Sequence, residues 1–417
     1  MPGETVRAFK DWFWRPPRPH GATIHDRVVT NLELFYDLVY VAVISQAAHH
    51  LAEHVDARTM VEFAIVFSMI WFAWINGSLY LEIHGRQDGR TRTVVFVQMG
   101  ILALLAVFTA GATGESGDAF AIVYALLFAV MGWLWYSVRG QDEARYRTLT
   151  GAYVIGMVLS VAVILATVIL PVDARLMVWA AFSIAWVVAF VVFGTIPEFE
   201  IALAPTHSMV ERFGLFTIIV LGEVILGVVT GLSEVEQDVL TIVTGLLGLF
   251  VGFGFWWSYF DILGRRLPRP DGPVTVRWLL SHLPITLSIA AAGAAMTSLI
   301  THAHDPVTPP ETAWLLAGAV AVGLLALVPA SLALEEATRL PEVYRKIAST
   351  LVVGALAALG TVLLQPAPWL LALLLSAILV VVWLVAVARF LRAHAWAEAE
   401  EGAEPEAGHH ATGPAAT

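Results

Sequence analysis

Two stretches of this sequence set ionisable residues inside long apolar runs. The first reads Asn31-Leu-Glu33-Leu-Phe-Tyr36-Asp37-Leu-Val-Tyr40. Glu33 and Asp37 are one turn apart on one helix face, with Tyr36 and Tyr40 as a parallel stripe. The second reads His207-Ser-Met-Val-Glu211-Arg212-Phe-Gly-Leu-Phe-Thr217-Ile-Ile-Val-Leu-Gly222-Glu223. His207, Glu211 and Arg212 are expected to form an interfacial polar cluster. Glu223 follows about 18 Å further along the helix, near the middle of a bilayer. An ionisable side chain there costs about 2.5–3.5 kcal/mol on the insertion scale, so each one needs a reason. The plain reason is an acid satisfied by Arg, Ser or Asn on a neighbouring helix, or held protonated. The functional one is a carboxylate that carries a proton or a cation.

Further candidates are histidines. His282 lies in another apolar run just before Pro284. It is either a satisfied hydrogen-bonding residue or a relay beside a broken helix. His50 and His54 have the i, i+4 spacing of a helical metal site, next to His49 and Glu53, and His302, His304 and Asp305 fall on the same predicted side. Together these could hold zinc or sense pH; a solvated polar loop is the plainer reading. The chain has no phosphate-cradling loop, His-Glu-x-x-His or nucleophile elbow, so no catalytic set is expected. It has no cysteine, which excludes disulfides and thiolate ligands. No cofactor is expected.

The elements that must position these residues follow from composition. Of 417 residues, 58% are hydrophobic and 14% charged. Soluble domains run near 25% charged, so a soluble enzyme, a nucleic-acid binder and a disordered regulator are all excluded. Twelve apolar stretches of helical length are expected to span the membrane: 31–52, 60–82, 93–113, 118–139, 150–170, 175–194, 208–232, 239–263, 277–301, 311–334, 347–365 and 368–391. Prolines at 171, 306, 309, 310, 366 and 368 punctuate the short turns between spans 5 and 6, 9 and 10, and 11 and 12. In a twelve-span arrangement nearly all Arg and Lys fall at one end, leaving only Arg58 and Arg175 at the other. The positive-inside rule then makes both termini cytoplasmic. Residues 1–30 form a basic N-terminal segment suited to the cytoplasmic interface. Residues 393–417 form an acidic tail, expected to be disordered.

The two halves resemble each other. Tyr80-x-Glu82-Ile-x-Gly85-Arg86 closes span 2, and Tyr259-x-Asp261-Ile-x-Gly264-Arg265 closes span 8. Six spans is an even number, so residues 31–194 and 208–392, joined by a loop at 195–207, would form two parallel six-helix repeats of an all-α transmembrane bundle. The acid and Arg in each motif are four apart and are expected to clamp the helix end. Gly227, Thr230 and Gly231 of span 7 offer a thin face, with a matching one at Gly245, Gly248 and Gly252 of span 8.

The Glu33-Leu-Phe-Tyr-Asp37-Leu-Val-Tyr and Glu211-to-Glu223 stretches resemble the two signature motifs of the bacterial low temperature requirement protein A family. Trp256-Trp-Ser-Tyr259-Phe-Asp261 and His282 are also similar to that family's pattern, over roughly residues 25–395. The resemblance implies a polytopic inner-membrane protein linked by name to growth in the cold, with no settled activity. The residues themselves suggest ion- or proton-coupled transport of a small solute. Glu223 would be the carrier, Asp37 and Glu33 the cytoplasmic partner site and His282 a relay, with Glu211, Arg212, Tyr259 and Asp261 as further binding or transport candidates. A channel, or a membrane enzyme or lipid-related factor, is the alternative. The expected partners are the lipid bilayer and an unidentified small solute or ion; homo-oligomerisation is left open.

Overall fold

In the computed structural model, residues 2–13, 15–22 and 27–401 are described, and among them there is no β-strand. Each of the twelve expected stretches is a helix. They are α1 (Asn31–Glu53), α2 (Ala57–His84), α3 (Gly89–Thr109), α4 (Gly117–Val138), α5 (Arg147–Ala166), α6 (Val172–Gly194), α7 (His207–Ser233), α8 (Val239–Ile262), α9 (Gly272–Thr301), α10 (Pro310–Ser331), α11 (Pro341–Val362) and α12 (Pro368–Glu401). Eleven are long and apolar enough to cross a membrane. The exception is α1, which carries Glu33, Asp37, Gln46, His49, His50 and Glu53 in its 23 residues. The chain is therefore a multi-pass helical membrane protein.

Helix starts follow polar caps rather than the first apolar residue, which is why several begin earlier than hydropathy alone suggests. The carboxylates of Asp56, Asp88 and Asp238 each accept from the backbone N–H of the Thr three residues on, at 2.8 Å. Asp271 does the same for Val274 at 3.1 Å. Thr206 caps α7 by accepting from Met209 N at 3.0 Å. Each cap contributes about 1 kcal/mol by satisfying an orphan donor. The prolines act as expected: Pro171 precedes α6, and Pro310 and Pro368 open α10 and α12.

Contacts sort the loops into two ends. At one end, Arg18 reaches the α2–α3 turn, His20 reaches Asp142 before α5, Thr206 before α7 reaches Glu82, and Arg269 N donates to Ala333 O. At the other, Arg58 meets Asp173, Arg175 meets Asp118, His304 meets Asp238, and Thr308 N donates to Pro366 O. The first end holds nearly all the bases; the second has only Arg58 and Arg175. Helices running alternately up and down produce this pattern.

The same helix pairs pack within each half. In the first, α1 lies on α2 and α3, α3 on α4, α4 on α5, and α2 on α4 and α6. In the second, α7 lies on α8 and α9, α9 on α10, α10 on α11, and α8 on α10 and α12. The halves meet where α1 packs on α7 and α9, and where α2 and α6 touch α9. This seam carries most of the candidate residues.

The N-terminal stretch is more than an interfacial segment. Arg18 and His20 are buried, and Arg18 donates to the carbonyls of Glu82 at 2.6 Å and Gly85 at 2.8 Å. Residues 15–22 form a strap tied across the basic end. Of the acidic tail, residues 402–417 lie outside the described residues, while α12 continues to Glu401.

Candidate functional site

Asp37 on α1 and Arg212 on α7 form an ion pair at 3.1 Å, with side chains 0% and 2% exposed. Trp74 on α2 donates its indole N–H to the same Asp37 oxygen at 2.8 Å. Arg212 also donates to Ser78 O at 3.4 Å, and its guanidinium lies 6.0 Å from the Tyr36 ring centre. Desolvating both charges is expensive, and only close pairing with further hydrogen bonds offsets it. The second oxygen of Asp37 and the Nε of Arg212 have no protein partner. Neighbouring residues on a helix point about 100° apart, so with Arg212 turned inward, Glu211 and His207 face outward and are exposed. The expected His207–Glu211–Arg212 surface cluster is therefore not formed: Arg212 is an interior residue.

Aromatic rings extend this layer. Trp74 stacks on Phe216 at 3.9 Å, and Phe213 touches Trp74, Trp278 and His282. His282 is fully buried. Its Nδ1 lies 2.8 Å from Trp278 O, and a carbonyl can only accept, so Nδ1 carries the proton. In the neutral ring Nε2 then accepts from the Tyr259 hydroxyl at 3.1 Å. His282 thus ties α9 to α8 through Tyr259, with both ring nitrogens occupied, a contact the sequence did not indicate.

Glu33 lies closer to the basic end. Arg27 bridges Glu33, at 2.7 Å, and Glu82, whose other oxygen accepts from Ser208 at 2.7 Å and Thr206 at 2.8 Å. The clamp between Glu82 and Arg86 is not formed; Arg86 donates instead to Pro16 O at 2.9 Å. Nor is the matching clamp on α8. Asp261 is half-buried, its carboxylate accepts from the Trp383 indole, and it is Arg266, not Arg265, that reaches the Asp261 carbonyl. Side-chain partners across helices win over the i, i+4 pair in both motifs.

Glu223 is different. It is 5% exposed, and its one hydrogen-bonding side chain is Ser45 on α1. Behind it α7 and α9 touch backbone to backbone. A Cβ on Gly293 would come within 2.6 Å of the Glu223 carbonyl, and one on Gly227 within 2.0 Å of Gly293 O. The thin face of α7 thus meets α9, not the glycines of α8. Gly245, Gly248 and Gly252 pack instead against Leu232, Val228 and Val224 of α7.

In front of Glu223 is a cleft of about 270 Å³ lined by Ser45, Gln46, His49, Gly227, Thr230 and Thr297 among others. It shares Ala52 and Thr297 with a second cleft of about 380 Å³ at the base-poor end, lined by Glu53, Glu234, His302 and Glu311. No Lys or Arg lines either. The resulting groove leads from that end to Glu223 and carries only acids, histidines and neutral groups. Glu53, which lines the outer cleft, has its ligand atom within 4.8 Å of those of His50 and His54, which stand beside it on α1 and its C-cap. His302 and His304 stand outside that group, with His302 Nδ1 against Ser298 O at 2.8 Å and His304 on Asp238 at 2.6 Å.

Trp74, Ser45, Arg27, Glu234 and Glu311 are not singled out for this site by the sequence. Ser45 is one hydroxyl in an apolar run, and Trp74 one of 15 tryptophans. Only the fold says which helix they face.

Buried charges between packed spans and a polar groove reaching mid-helix define a polytopic membrane protein with an internal polar site. The family model for bacterial low temperature requirement A protein matches residues 28–388, and the chain belongs to that family. An uncharacterized protein of Rhizobium meliloti (strain 1021) is 22% identical over 307 residues, covering 66% of this chain and 70% of that protein. No solved structure matches.

Proposed function

We propose that the protein is a cation- or proton-coupled transporter of a small solute, with Glu223 as the carrier. One observation carries this reading: a near-buried carboxylate, bonded to one serine, lining a cleft that has no Lys or Arg in its wall. A carboxylate placed this way can take up a cation or proton arriving along the groove. The Asp37–Arg212 layer, between Glu223 and the basic end along α1 and α7, is the barrier on the other side. Glu33, Glu82 and Arg27 form the exit-side cluster. Alternating access needs two units that rock against each other. The matched helix pairing of residues 31–194 and 208–392 supplies two such units, read here as a parallel repeat of six spans each. The excess of bases at the strap end supports a cytoplasmic position for the strap and both termini at the bacterial inner membrane.

The test uses vesicles reconstituted with the full chain and filled with a pH-sensitive dye. A cation gradient should drive proton movement that Glu223→Gln abolishes. Flux unchanged by that substitution removes Glu223 from the mechanism.

A further inference from the structure

We infer that His50, Glu53 and His54 capture a divalent transition-metal cation at the mouth of the groove, and that this ion is the transported species. The inference rests on the transport reading above and names its substrate class. Two imidazoles and one carboxylate form a donor set of intermediate softness. That set suits Zn²⁺, Co²⁺, Ni²⁺ or Fe²⁺ better than Mg²⁺ or Ca²⁺, which prefer all-oxygen shells. The ligand atoms already lie within 4.8 Å of one another, a separation that one ion can bridge with small side-chain movements.

The placement is what makes the triad more than a surface cluster. His50 is in the last turn of α1 and His54 is its C-cap residue. The carbonyl end of a helix carries partial negative charge and favours a cation. His50 is half-buried and the other two are exposed, so the ion can enter and leave. Three protein ligands leave a coordination position open, the arrangement of an exchangeable rather than a structural ion. Glu53 also lines the groove, where Glu234, Glu311 and His302 join it. His49, 3.4 Å from Glu53, lines the inner cleft with Glu223. Oxygen and imidazole donors therefore continue from the rim to Glu223 along one side of α1. The nearest base in sequence, Arg58, is held by Glu62 at 2.7 Å and Asp173 at 2.8 Å and does not line the groove.

The test is a Co²⁺ titration of the full chain, purified without a histidine tag into lipid nanodiscs and followed by visible absorption. Wild type and Glu223→Gln should both bind Co²⁺ at the rim. The His50→Gln/His54→Gln double variant should bind it at least about tenfold more weakly. In vesicles holding a Co²⁺-quenched dye, that double variant should raise the half-saturating Co²⁺ concentration by a similar factor and leave the maximal rate unchanged, whereas Glu223→Gln should abolish influx. Co²⁺ binding that is missing, or indifferent to the two histidines, overturns the inference. So does wild-type vesicles failing to take up Co²⁺ while cation-driven proton flux persists. In each of these outcomes the transport reading still stands or falls on the Glu223→Gln proton measurement alone.

Discussion

The two ends of this bundle handle charge in opposite ways. At the basic end nearly every buried charge has a partner on another element: Arg27 with Glu33 and Glu82, Arg212 with Asp37, and His20 with Asp142. At the other end no Lys or Arg lines the groove to match its acids: Glu53 has His49 at 3.4 Å, and Glu223 has only Ser45. A paired charge is fixed in place by the cost of leaving its partner uncompensated. An unpaired acid beside open space can change its protonation or its ligand. The difference reads as one closed end and one accessible end.

The largest effect should come from breaking the closed end. Arg212→Leu leaves Asp37 charged, buried and held only by Trp74, and loss of one partner of a buried pair costs about 3–5 kcal/mol. Thermal unfolding in detergent should show a large fall in stability. Asp37→Asn/Arg212→Leu should recover part of it, because no charge is then stranded. Glu223→Gln, on the open side, should stay within about 1 kcal/mol of wild type. A Glu223 variant as destabilised as Arg212→Leu would erase the contrast between the ends.

A middle-sized effect tests the seam on which both ends depend. Gly293→Ala puts a methyl within 2.6 Å of the Glu223 backbone, and no flexible side chain there can give way. Overpacking of this kind costs about 1–3 kcal/mol. Gly318→Ala, on α10 with open space around it, should be neutral or slightly stabilising. Equal behaviour of the two variants would mean that α7 and α9 are not in close contact at Glu223.

How much of this could be read beforehand depends on the range of the interaction. All twelve helices were legible, because hydropathy and proline punctuation are local. Asp37 and Glu223 stood out because an acid in an apolar run is costly wherever the chain folds. Partners were not legible. Arg212 sits beside Glu211, and sequence alone cannot say which of the two turns inward. Glu82 lies one turn from Arg86 and was paired with it on spacing, yet Arg27, 55 residues away, takes that place. The strap was hidden for the same reason: Arg18 and His20 look like a basic tail until Gly85 and Asp142 are seen facing them.

The smallest effect concerns how firmly that strap closes its end. Both oxygens of Asp142 lie 3.0 Å from His20 Nδ1, and one also accepts from the His20 backbone N–H at 3.0 Å, while the Thr150 hydroxyl donates to the other. Burial works to raise this carboxyl, but the bonds from His20 and Thr150 outweigh it and hold it below the ordinary carboxylate range. A group depressed in the folded state adds stability above its unfolded value of about 3.9 and loses it as pH falls through the lower folded value. The strap should therefore stay docked at neutral and mildly acidic pH and loosen only below about pH 4. Asp142→Asn reproduces the neutral side chain at pH 7 and should speed amide hydrogen exchange in residues 18–22, with little change in the rest of the bundle. Exchange unaltered by the substitution would show that Arg18, through its bonds to the Glu82 and Gly85 carbonyls, holds the strap without help from His20.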